Sequence, residues 1–183
     1  MSGQPIPAPK RFITDHNAEG KAVFSTAIAE ELPEQIIGNG HKFFLGYTTS
    51  ATPVDLSDSK DIDAYKTYTA NPPGIVIPGG TVLRYVDMLP GSVSPMHRTV
   101  SLDYGVVLEG SVILRLDSGE GRLMQRGDVA VQRGTMHAWE NASKTEWARM
   151  MYVLQDSLPV TVGGEKLDED YGVGMDEVRP SGN

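Results

Sequence analysis

The sequence predicts an all-β fold, a barrel or sandwich, on three observations. Short segments rich in valine, leucine, tyrosine and threonine recur along the chain, the residue types that suit a pleated surface. Twenty glycines and twelve prolines are scattered between those segments as turn punctuation. Around two histidines, His97 and His137, like residues recur at every second position, which is the strand period.

The clearest expected strands are Thr81 to Met88, Val100 to Leu108, Ser111 to Leu116, Asp128 to Gln132 and Trp147 to Leu154. Pro90-Gly91, Glu109-Gly110 and Asp117-Ser118-Gly119 supply backbones tolerant of tight reversal between them. Upstream the pattern is less regular. His41 to Thr48 reads as a strand, Phe24 to Glu31 as strand or helix, and Asp61 to Tyr68 as a helical turn. The acidic run Leu167 to Asp170 suggests a short C-terminal helical turn before a frayed end. Three regions follow: an N-terminal extension over residues 1–79, a barrel core over 80–160 and a tail over 161–183.

Composition narrows the function. A chain of 183 residues with 39% hydrophobic residues can bury one core. It has no apolar run near the roughly 18 residues of a membrane span, and MSGQPIPAPK lacks the apolar stretch of a secretory signal. A net charge of −8 argues against nucleic acid and anionic membrane as partners. The absence of cysteine removes disulfides and thiolate chemistry, and suits a reducing, cytoplasmic setting. A metal would therefore be held by histidine, carboxylate or neutral oxygen, and there are only four histidines.

Two of these carry the argument. In an extended Pro90 to Gly110 segment, His97, Thr99, Ser101 and Asp103 share one face. Met96, Arg98, Val100, Leu102 and Tyr104 share the other, so a polar pocket is backed by a packing surface. In Arg126 to Asn141 the same period aligns His137, Trp139 and Asn141. Two such strands in a closed barrel can bring their histidines into one cavity. Arg84, Arg149, Tyr104 and Tyr152 are candidates for orienting a carboxylate or phenol there, and nearby methionines for an apolar lining. His16 and His41 fall outside both segments and read as surface or interface residues.

These two segments resemble the paired motifs of the cupin superfamily. Gly91, His97, Asp103 and Gly110 match the first motif, with Thr99 replacing its second histidine and aspartate its glutamate. Gly134, His137 and Asn141 match the second; Gln132 replaces its proline, and Gly127 lies one residue too close. PMHRT, SLDYGVVLEG and QRGTMHAW further resemble small single-domain fungal cupins, described as oxidoreductases or tailoring proteins of polyketide gene clusters.

The resemblance implies a double-stranded β-helix, or jelly-roll, acting on a small, partly apolar organic molecule. It also implies one divalent metal, Fe(II), Mn or Zn, on His97, Asp103 and His137, a donor set of two histidines and one carboxylate. These three are the expected catalytic residues, with Thr99, Ser101, Trp139, Arg84, Tyr104 and Tyr152 as substrate contacts. Oxidation, dehydration, decarboxylation and isomerisation all fit such a site. A metal-free His/Asp acid–base enzyme and a non-catalytic ligand-binding cupin are the alternatives left by the missing histidine. Related cupins dimerise, so a homodimer, with possible exchange of the N-terminal strand, is also expected.

Overall fold

A computed structural model describes residues 3–38, 40–175 and 178–182. The chain opens with a small hairpin, β1 (Thr14–His16) and β2 (Ala22–Phe24). Next come β3 (Glu34–Ile37), β4 (His41–Thr49) and one helix, α1 (Lys60–Ala70). The barrel strands are β5 (Thr81–Met88), β6 (Ser101–Glu109), β7 (Ser111–Leu116), β8 (Gly121–Gln125), β9 (Val129–Arg133), β10 (His137–Asn141) and β11 (Ala148–Asp156). A last hairpin joins β12 (Val160–Val162) and β13 (Glu165–Leu167).

Two antiparallel sheets make the jelly-roll. The larger runs β3-β4-β5-β11-β6-β9 and the smaller β10-β7-β8. The upstream strands β3 and β4 are thus part of the main sheet. Backbone bridges from Val93 to Glu140 and from His97 to His137 continue the smaller sheet along β10.

Inward rows follow from the register. Val82, Leu154 and Asp103 align across β5, β11 and β6, as do Arg84, Tyr152 and Gly105. Val107, Val112, Met124, Ala130 and Met150 fill part of the interior with apolar side chains. Gly105 is closely packed. A Cβ there would lie 3.1 Å from Cε1 of Tyr152, so glycine makes room for the tyrosine ring.

On the other side of the sheet, Tyr65 of α1 is fully buried and its hydroxyl donates to the Leu45 carbonyl at 2.7 Å. On this outer face too, Arg149 and Asp87 form a buried two-pronged ion pair, Nε to Oδ1 at 2.5 Å and Nη2 to Oδ2 at 2.7 Å.

The C-terminal helical turn expected around Leu167 to Asp170 is not formed. Residues 165–167 are strand, and Asp170 instead makes a backbone bridge to Arg98. Pairing with another strand satisfies backbone groups that an isolated turn of helix would leave to water. The helix expected over Asp61 to Tyr68 is present, and extends to Lys60–Ala70.

Candidate functional site

The interior holds a cavity of about 340 Å³. Ile37, Ile75, Val86, Met88, Leu154 and Met175 give it a mostly apolar wall. His97, His137, Asp103, Thr99, Trp139, Arg84 and Tyr152 also line it, so seven of the expected site residues share one space.

The two histidines meet because His97 and His137 exchange both backbone hydrogen bonds, at 2.8 and 2.9 Å. Their rings lie 4.3 Å apart, centroid to centroid. Nδ1 of His97 donates to the Pro95 carbonyl and Nδ1 of His137 to the Thr135 carbonyl, each at 2.8 Å. A carbonyl oxygen only accepts, so both neutral rings carry their proton on Nδ1 and keep the Nε2 lone pair free. Burial lowers the affinity of His97 for a second proton. It lowers that of His137 further, to about 3, with the neighbouring His97 adding to the effect.

Asp103 is 4% exposed. Burial pushes its carboxyl up to about 6, against the opposing pull of hydroxyls on Ser101 and Thr99. Thr99 reaches Oδ2 only at 3.5 Å, and Oδ1 has no partner among the described residues. Gln132 lies directly across the strand pair from Asp103, is buried, and has an equally unpartnered Nε2. Sequence reasoning registered Gln132 only as a missing proline. That departure from the motif was the available signal.

Trp139 stacks edge-on between His137, 5.4 Å away, and Tyr152, 5.5 Å away. The Tyr152 hydroxyl donates to the Met150 sulfur at 3.0 Å. Burial raises its pKa well above the ordinary phenol value, with the Asp103 carboxylate adding to this. Ser101 is buried behind the wall and donates to Thr99 at 2.8 Å, so it supports the site without lining it.

Besides Ser101, three placements differ from expectation. Tyr104 stands outside the cavity at 43% exposure, because Asp103 and Gly105 take the inward positions of β6 and strand alternation turns Tyr104 outward. Arg149 is committed to Asp87 and is unavailable to a ligand. His41 is half-buried and not on the open surface. It lines the cavity, and burial lowers its proton affinity. Asn141, by contrast, staples loops: its amide donates to carbonyls of Met88, Leu89 and Glu146 at 2.8 to 3.1 Å.

The donor types suit a divalent ion, with two open imidazole nitrogens and an orphaned carboxylate oxygen. Their spacing does not. Among the described residues no three histidine, aspartate or glutamate side chains are gathered closely enough to enclose one.

No protein-family model matches the sequence. Close relatives are nevertheless plain. The chain is 53% identical to phomopsin biosynthesis cluster protein D of Diaporthe leptostromiformis, over 96% of this chain and 93% of that one. It is 44% identical to a cupin-domain-containing oxidoreductase, virC, of Hypocrea virens, covering 83% of this chain and 78% of that one. This chain belongs to the cupins. The cupin is also 48% identical to oryzines biosynthesis cluster protein J of Aspergillus oryzae, over 91% of its length and 93% of the relative's. Among solved structures, the polyketide cyclase RemF from Streptomyces resistomycificus is similar at TM-score 0.47 and 17% identity, covering 80% of the cupin and 83% of RemF. No helix among the described residues of the cupin is long and apolar enough to cross a membrane.

Proposed function

We propose that this cupin is a tailoring enzyme of a fungal biosynthetic cluster, catalysing proton transfer on a small, mostly apolar carbonyl compound. The observation that carries the proposal is the His97–His137 pair, with both Nδ1 protons fixed on backbone carbonyls and both Nε2 lone pairs free in an apolar cavity. The free Nε2 of a neutral imidazole can accept a proton, and Asp103, with its pKa raised to about 6, passes between carboxylate and carboxylic acid near neutral pH and so can take up or return one. Isomerisation and dehydration need only this exchange. Trp139 and Tyr152 would hold the flat part of the substrate, while the apolar wall excludes water. The relatives' names, biosynthesis cluster proteins and cupin-domain-containing oxidoreductases, support a cluster role.

The test is proton–deuterium exchange into 2-methyl-1-tetralone and a panel of related ketones, followed by NMR. Wild type should exceed the buffer rate, and His97→Ala and His137→Ala should each lose about 100-fold, the lower end of general-base catalysis. Exchange that survives in both variants would refute the assignment.

The orphaned Asp103 Oδ1 favours a second reading, in which Fe(II), Mn or Zn would be held by His97, His137 and Asp103; it requires the carboxylate to stand closer to the imidazoles than it does here. Elemental analysis of protein purified without chelator separates the two. Stoichiometric metal that is lost in His137→Ala would support this second reading over the metal-free one.

A further inference from the structure

Arg84 projects from the middle of the main sheet into the cavity wall and is only 7% exposed. Its cross-strand neighbours are Leu45 on one side and Tyr152 on the other. Among the described residues its guanidinium makes one hydrogen bond, Nη2 to the Gly74 carbonyl at 3.0 Å, and has no carboxylate partner. Asp87, three residues along the same strand, faces the other side of the sheet, where Arg149 holds it. Burial draws the pKa of Arg84 down to about 10, which still leaves it charged at neutral pH.

Buried guanidinium groups are ordinarily paired, because an uncompensated charge in an apolar surround is costly. Among the described residues Arg84 meets the face of Phe43, 5.1 Å from its central carbon, and one carbonyl, but no carboxylate. A guanidinium offers five N–H donors in a planar fork, and one hydrogen bond leaves most of them open. This cation stands in a protein of net charge −8, where a general attraction for anions is absent. The same side chain also borders a smaller recess of about 200 Å³ that Arg179 lines.

We propose that Arg84 is the anchor for a carboxylate on the substrate, making this a cupin for apolar organic acids. The carboxylate seats on the guanidinium fork, and the apolar body lies along Val86, Leu154 and Trp139 toward the histidines. A neutral ketone or alcohol of the same shape forfeits the charge-assisted hydrogen bonds and leaves Arg84 desolvated without a partner. This deepens the preceding proposal and rests on the same cavity being the substrate site.

Octanoate and octanamide are the probes, matched in shape and different in charge, with binding measured by calorimetry on the full chain. Wild type should prefer octanoate by about tenfold or more, and Arg84→Gln should bring the two within about twofold, as expected for loss of a charge-assisted fork. Arg84→Lys should keep part of the preference. Equal binding of both probes by wild type would overturn the proposal without any variant, so it does not depend on Arg84→Gln folding. A preference undiminished in a folded Arg84→Gln would overturn it too. His137→Ala should keep the octanoate preference while losing proton exchange, so the anchor and the acid–base pair fail independently.

Discussion

Replacing Asp103 by asparagine removes one ionisation and little else, since the two side chains are nearly the same size. In the folded protein the carboxyl titrates near 6, against 3.8 for the ordinary group. A folded pKa raised above the unfolded one means a contribution fully present below pH 3.8 and lost as pH rises through 6. The complete shift corresponds to about 3 kcal/mol, of which about 2 falls between pH 4.5 and pH 8. The amide side chain bears no such cost. The stability of Asp103→Asn relative to wild type should therefore improve by about 2 kcal/mol from pH 4.5 to pH 8, or roughly 4–8 °C in Tm for a domain of this size. Urea melts at both pH values, with EDTA present, measure it. The difference between the two proteins cancels the titration of every other group, His137 included. A relative stability that does not change with pH would refute the buried, weakly hydrogen-bonded carboxyl, and with it the acid role given to Asp103.

His137 should stay neutral through pH 5, because the folded ring takes a second proton only near 3. Its stabilising contribution is present above pH 6.5 and declines as pH falls toward 3, and ¹⁵N NMR should show an Nδ1–H tautomer throughout the upper range. Asp87→Ala should destabilise by about 3–5 kcal/mol by stranding Arg149 in the core, visible as a large fall in Tm with no change in the octanoate preference of the folded fraction. Gly105→Ala should cost about 1–3 kcal/mol by pressing a methyl group against Tyr152, and near-UV circular dichroism should report the displaced Tyr152–Trp139 contact.

Much of the architecture was readable because strands with one buried face write their register into the sequence. Thr81–Met88 and Ser111–Leu116 occur with the expected bounds, and the alternation through His97, Thr99, Ser101 and Asp103 matches four buried side chains. Strands without that contrast were missed. In Gly121–Gln125 only Met124 is buried, and Ala22–Phe24 is exposed throughout, so neither carries a period to detect. Tyr104 shows the limit from the other side. Its parity placed it on the outer face, and only its aromatic character suggested a ligand.

The residues themselves determined which side chains of a strand share a face, His97 with Asp103 and His137 with Trp139, since a period of two is a local property of the extended chain. Partnership is a different matter, because it joins residues far apart in sequence. Arg84 and Arg149 sit on neighbouring strands, both buried, and it is the register between those strands that puts them on opposite faces. Only the packed sheet shows that Asp87 neutralises Arg149 and that Arg84 is left facing the cavity. His41 likewise joins the site through the pairing of β4 with β5, a long-range contact that no periodicity within its own strand encodes.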